Sequence, residues 1–356
     1  MITGESFLKE KLTHIMDGET PSREELAAIL ALPSPEYLYH TADLIRQEQC
    51  HDAVLLRGII EISNVCNQSC HYCGLRKENK TLFRYRMTEE EIMDAAQKIQ
   101  RADISTAVLQ SGEDKTDAKR LCDLIRRIRT ESDLFITLSL GERPAGDYLA
   151  FREAGADRYL LKHETASKQL FEILRPGSSY NSRREALRLF KELELETGTG
   201  CMVGLPGQTP EDLADDLLYM KALGADMIGI GPFIPHPETP LAHCPPGTTE
   251  MTLKMISLTR LLLPRANIPA TTSLGVLDST GRRKALQSGA NVVMLDFTPE
   301  NYRRHYDIYP GKTYVAREQD HTLRLLRQEL EAMGRTIGRD RPRGEILKTS
   351  AKTASK

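Results

Sequence analysis

Three of the chain's seven cysteines fall within eight residues, Cys66, Cys70 and Cys73 of "VCNQSCHYCGLRKENK". Thiolates packed this densely are ligands for zinc, copper(I) or an iron–sulfur cluster. A structural zinc site closes with four ligands, and the short loop keeps His71 from completing a tetrahedron with its immediate neighbours. The other cysteines, Cys50, Cys122, Cys201 and Cys244, are scattered, which argues against a disulfide framework in a chain this long. A [4Fe–4S] cube normally takes four thiolates, so three would leave one iron open for chemistry. A zinc knuckle with a distant fourth ligand, or three buried thiols, are the other readings these residues allow.

What must position such a loop is legible in the hydropathy. From about residue 55, short aliphatic and β-branched runs alternate with longer charged amphipathic runs. The strand-like runs are 58–63, 106–111, 134–140, 158–162, 198–204, 227–233, 268–273 and 291–295. Eight β-then-α units over about 250 residues predict an α/β fold, a (β/α)8 TIM-type barrel, with a partial barrel as the alternative. Helix starts are marked by Thr88 with Glu91, a capping box, and by Thr209 followed by Pro210. The recurring "GA" of "EAGADRYLL", "ALGADMIGI" and "QSGANVVML" predicts left-handed glycine caps before strands. Residues 1–50 read as an N-terminal helical extension capping the barrel's closed end, 51–320 as the barrel, and 321–356 as a C-terminal helix and a disordered basic tail.

Composition narrows the partners. A net charge of -2, with no Lys/Arg block in the first 300 residues, gives no footprint for nucleic acid or an anionic membrane. No run approaches the ~18 apolar residues of a membrane span, and the N-terminus lacks the apolar segment of a signal peptide. The expected location is the cytoplasm.

Cys66 directly follows the first predicted strand, which puts the triplet in a βα loop, on the face where barrels carry their active sites. Other strand ends supply polar side chains to that face: Gln110, Ser111 and Glu113, then Thr137 and Ser139, then Lys162, His163 and Glu164. Arg183, at the start of "SRREALRLFKELE", suits a carboxylate through two parallel hydrogen bonds. His163 and His236 read as structural. Thr271, Thr272 and Tyr306 lie at or after the last two strands and are candidates for the barrel mouth.

The spacing C-x3-C-x-aromatic-C, with Tyr72 as the aromatic, resembles the signature of the radical S-adenosylmethionine (SAM) enzymes. That resemblance implies one [4Fe–4S] cluster on Cys66, Cys70 and Cys73, with the methionyl group of SAM on the open iron and a 5'-deoxyadenosyl radical as the reagent. Longer phrases, among them "CHYCGLRKENK", "VLQSGED", "LLKHETA", "MVGLPGQT", "GIGPFIPHPETPLA" and "IPATTSLG", resemble the HydE family of [FeFe]-hydrogenase maturases from about residue 55 to 315. Biotin synthase and methylornithine synthase are cousins by the same resemblance.

It implies that Tyr72, Gln110, Thr137, Ser139, Glu164 and Arg183 face the cofactor, and that Arg158, Lys162, Thr271, Thr272 and Tyr306 face the substrate cavity. The chemistry is carried by the cofactor, so no residue is assigned a catalytic role. The implied substrate is small and organometallic, an iron bearing carbonyl, cyanide and cysteine; the implied partners are an electron donor such as a ferredoxin or flavodoxin and other hydrogenase maturases. The chain departs from the family in three places: "SGE" stands for "GGE", Lys162 stands where arginine is expected, and no cysteine follows Cys244 to hold a second cluster. An amino-acid mutase similar to methylornithine synthase, or a non-catalytic iron–sulfur carrier, are the alternative functions.

Overall fold

A computed structural model describes residues 4–33, 35–114, 116–312 and 319–342. Three helices, α1 (Gly4–Met16), α2 (Arg23–Ala31) and α3 (Glu36–Cys50), lead into β1 (Ala53–Ser63). There follow α4 (Glu89–Arg101), β2 (Thr106–Ser111), α5 (Ala118–Glu131), β3 (Phe135–Ser139), α6 (Ala145–Ala154), β4 (Arg158–Leu160), α7 (Lys168–Leu174) and α8 (Tyr180–Glu192). The second half runs β5 (Glu196–Thr199), β6 (Met202–Val203), α9 (Pro210–Leu223), β7 (Met227–Ile228), β8 (Gly231–Pro232), α10 (Thr249–Leu262), α11 (Thr272–Leu277), α12 (Gly281–Leu286), β9 (Val292–Asp296), α13 (Glu300–Arg303), α14 (Gln319–Ala332) and β10 (Thr336–Gly338).

Strands β1, β2, β3, β4, β5 and β7 pair side by side in parallel, and β9 pairs back onto β1. Between β7 and β9 the ring is closed by two isolated bridges, Met227 with Asn267 and Pro269 with Val292. The result is the (β/α)8 barrel, with one thin stave. That stave was expected as a strand over 268–273. Pro269 has no N–H to give to a ladder, and Thr271 already stands as N-cap of α11, so the chain leaves the sheet after three or four residues. The side chain of Asn291 holds it in place, its Oδ1 accepting from the Ile268 amide at 2.8 Å.

The local signals act as the residue types dictate. Thr88 and Glu91 form a reciprocal capping box, as do Thr209 and Asp212. The three "GA" turns place Gly155, Gly224 and Gly289 at φ of 111°, 60° and 108°, which only glycine adopts without strain. Helix α4 buries Ile92, Met93, Ala95, Ala96 and Ile99 against the sheet. Helices α2 and α3 pack on α9 and α10.

The barrel floor is plugged from the other end of the chain. Strand β10 pairs in parallel with the start of β1, Ala53 opposite Thr336. Two residues on, the fully buried carboxylate of Asp340 accepts from Arg57 Nε at 2.7 Å, Arg158 Nη2 at 3.1 Å and Thr106 Oγ1 at 2.9 Å. Of the basic stretch from Gly338, whose end was expected to be a disordered tail, residues 338–342 carry this buried acid; 343–356 lie outside the described residues. No helix among the described residues is long and apolar enough to cross a membrane.

Candidate active site

The cysteine loop leaves β1 at the C-terminal rim, and having no sheet partner it must find other acceptors and donors for its backbone. It finds them on neighbouring rim segments. The amide of Asn67 donates to the Glu113 carbonyl (2.8 Å), that of His71 to Leu174 (2.9 Å) and that of Gly74 to Ile308 (3.1 Å). The Arg84 guanidinium gathers four carbonyls, those of Asn64, Leu75, Arg76 and Asn79, at 2.7–3.2 Å. These bonds hold the loop's backbone without drawing on its thiols.

Cys66, Cys70 and Cys73 line one cavity of about 340 Å³ at the barrel mouth. Burial pushes all three thiols up, Cys70 to about 11. Thiolates at this place need a cationic partner, which iron ions supply. Among the described residues, the one group of three ligating side chains whose donor atoms lie within 4.8 Å of one another is His163, Cys201 and Asp216.

Beside them sits a buried cluster of two guanidiniums and three carboxylates. Arg175 donates to Glu113 at 2.8 Å and to the Tyr72 hydroxyl at 3.0 Å; Arg183 donates to Glu113 at 3.1 Å and Glu142 at 2.8 Å, and both approach Glu164 at 3.6–3.9 Å. Glycine at 141 makes room for this: a Cβ there would lie 1.7 Å from Glu113 Cγ. Glu164 has φ of 72°, a left-handed conformation that costs a non-glycine residue about 1–2 kcal/mol.

Burial alone would raise the Glu113 carboxyl, but Arg183 and Arg175 outweigh it and bring it from 4.5 to about 2. A depressed carboxylate contributes stability that is full above its unfolded value and is lost as pH falls through its folded one. The difference corresponds to roughly 3 kcal/mol, at about 1.36 kcal/mol per unit. In the metal-free protein we expect the melting temperature to fall as pH drops from 4.5 toward 2, and this part of the fall to be absent in Glu113→Gln. An equal fall in both would show that the Glu113 pairing contributes nothing.

Across the cavity, Lys162 lies over Gly229, where an added Cβ would sit 3.3 Å from Lys162 Cε. Glu61 and Lys312 form a contact ion pair on the β1 side, with the Lys312 ammonium 4.5 Å from the Tyr306 ring centre.

A model of the radical SAM superfamily matches residues 60–220 of this chain. The [FeFe] hydrogenase maturase subunit HydE of Thermotoga maritima is 49% identical over 306 residues, covering 86% of this chain and 88% of that protein. The chain belongs to the HydE family of radical SAM enzymes. The 3-methylornithine synthase of Methanosarcina acetivorans is 29% identical over 333 residues, 90% of this chain and 91% of that one. The crystal structure of methylornithine synthase (PylB) superposes with a TM-score of 0.82 at 28% identity, covering 92% of this chain and 97% of that one.

In this HydE-family chain the cavity wall brings together Cys66, Cys70, Cys73, Tyr72, Gln110, Ser139, Lys162, Glu164, Arg183, Thr271, Thr272 and Tyr306. Thr137 shares the strand face of Ser139 one layer below; it is buried beneath the wall rather than on it, and its hydroxyl has no partner. Arg158 requires a correction: it was expected at the substrate cavity and is instead fully buried at the floor, bound to Glu196 at 2.6 Å and to Asp340. It opens β4, at the opposite end of the strand from Leu160, which lines the cavity.

The sequence reading missed Arg175, Glu142, Glu61 and Lys312. Arg175 ends α7 in "ILRPG", where a basic residue is ordinary helix-end chemistry. Glu61 is a lone acid inside an apolar strand, "GIIEIS", and that was the signal available.

Proposed function

We propose that the chain is a hydrogenase maturase: that Cys66, Cys70 and Cys73 hold one [4Fe–4S] cluster, and that the adjoining wall binds SAM and a small iron complex bearing carbonyl, cyanide and cysteine. The observation that carries this is the meeting, in one cavity, of three cysteines with an acid-rich Arg/Glu cluster and a separate cationic wall at Lys162. When bound, the cluster and SAM supply a 5'-deoxyadenosyl radical.

What the chain does is bind and orient. Three carboxylates against two guanidiniums leave the cluster with one negative charge in excess, which favours a cofactor whose sulfonium and ammonium outnumber its carboxylate. Tyr72, Gln110, Ser139, Glu164 and Arg183 surround that place, with Thr137 beneath them. Lys162, Thr271, Thr272 and Tyr306 face the remaining volume and receive the substrate, where Lys162 attracts an anion as a point charge without the fork of an arginine. The plugged floor and pinned loop keep water from the reacting atoms. The electron comes from a ferredoxin or flavodoxin in the cytoplasm, and the product passes to other maturases.

The test is anaerobic reconstitution with iron and sulfide, then reduction in the presence of SAM and the synthetic iron–carbonyl–cyanide–cysteine complex. The expected result is 5'-deoxyadenosine or an adenosylated product, together with loss of the starting complex. SAM cleavage with the complex left unchanged would refute the maturase role. The close superposition on methylornithine synthase keeps an amino-acid mutase as the second reading, and a rearranged amino acid as product would favour it.

A further inference from the structure

Glu164 carries the least ordinary backbone in the cavity. Of the described non-glycine residues with positive φ, namely His51, Asp103, Glu164 and Glu194, it alone lines the wall. Its own amide and carbonyl are used in crossing to the next strand: N–H to Gly200 O at 3.1 Å, and O from the Met202 amide at 3.0 Å. These bonds fix the peptide planes on either side of Glu164, and the residues flanking it must hold the left-handed turn between them.

Both flanks are held by one atom. Asp216, in the middle of α9, reaches beneath the turn, where its Oδ1 meets His163 Nε2 at 3.0 Å and accepts the Ala166 amide at 2.5 Å. His163 is fixed from its other edge by Thr199, whose Oγ1 lies 3.2 Å from the His163 amide and 2.9 Å from Nδ1. The Tyr219 ring closes over the imidazole at 4.8 Å. Both the His163 and the Asp216 side chains are fully buried. Burial drives both toward their neutral forms, raising the Asp216 carboxyl well above its ordinary range and lowering the His163 imidazole to about 3. A buried acid in a helix interior is costly unless its bonds do something the fold requires. Here they bracket a single left-handed residue.

We propose that Asp216 is a positioning residue, which acts through His163 and the Ala166 amide to hold Glu164 in the left-handed turn that aims its carboxylate at the cofactor. This rests on the reading, given above, that Glu164 faces SAM. Asp216 itself never touches the cavity; its effect on SAM reaches the cofactor only through Glu164. It follows that the two residues must not act independently.

The experiment is a double-mutant cycle in the cluster-loaded protein, reading the SAM dissociation constant from the change that SAM makes in the spin-resonance spectrum of the reduced cluster. Glu164→Ala and Asp216→Ala are each expected to weaken SAM about tenfold or more, and Asp216→Ala in the Glu164→Ala background to add less than about twofold. Asp216→Asn, which keeps an acceptor for the Ala166 amide, is expected to fall between wild type and Asp216→Ala, and it carries the cycle should the alanine variant take up no cluster. A merely structural role would give losses that multiply, and that result overturns the proposal. So does unchanged SAM affinity in the Asp216 variants beside a loss in Glu164→Ala. If Glu164→Ala itself binds SAM as wild type, the reading of Glu164 fails and this inference with it. Because His163, Cys201 and Asp216 could also ligate an ion, zinc is assayed in the same samples; one zinc per wild-type chain, lost in Asp216→Ala, would replace positioning by a metal site.

Discussion

Cys70→Ser is expected to reduce SAM cleavage to background and to lower bound iron in the reconstituted protein. Cys70 is buried, and its thiol is pushed up to about 11 by its surroundings, so the site offers a metal no spontaneous anion; affinity comes from iron displacing the proton. A serine hydroxyl releases its proton far less readily than a thiol, and a hard oxygen suits iron–sulfur chemistry poorly. With only three thiolates to begin with, the loss of one leaves two corners bound. Iron and sulfide content, the spin-resonance spectrum with and without SAM, and 5'-deoxyadenosine on reduction are the measurements. Cys122→Ala, a buried thiol on α5 away from the cavity, is the control expected to keep all three. A Cys70→Ser protein with a full cluster that still cleaves SAM would remove the basis of the functional reading.

The second large effect is on stability. Asp340→Leu leaves Arg57 buried, with Met227 Sδ at 2.8 Å as the other partner of its guanidinium, while Arg158 keeps Glu196. Removing one partner of a buried pair costs about 3–5 kcal/mol, because the remaining charge is uncompensated. We expect Asp340→Leu to unfold at markedly lower temperature or denaturant concentration than wild type. The double variant Arg57→Met/Asp340→Leu should recover part of that loss, since it removes the stranded charge as well. If the double variant is no more stable than Asp340→Leu, the cost is not electrostatic.

Most of the barrel was legible because its staves differ from its helices in period. Runs such as "TAVLQS" and "LFITLSL" alternate with capped amphipathic segments, and the glycine caps mark the returns. The seventh stave misled because "IPATTS" has strand-like composition but a proline in the pairing position and an N-cap two residues later. The cysteine triplet and its rim were legible from residue chemistry and spacing. What could not be read were pairings between distant positions. The family resemblance put Arg158 at the substrate cavity, but it opens its strand at the floor, and one of the two acids that pair with it lies 182 positions away. Arg175, Glu61 and Lys312 are ordinary in their local contexts and become functional candidates only when the ring closes around them. The charged stretch after α14 looked solvated because its buried acid, Asp340, is surrounded by basic residues in the sequence.

The Arg57–Asp340 pair joins residues 283 positions apart. A nascent chain leaving the ribosome therefore displays Arg57 and Arg158 with no counter-charge from Asp340 through most of its synthesis. Until Asp340 emerges, the staves before it can pair into a ring but the floor stays open, with Arg57 lacking its carboxylate, and that unfinished base is a call on chaperones.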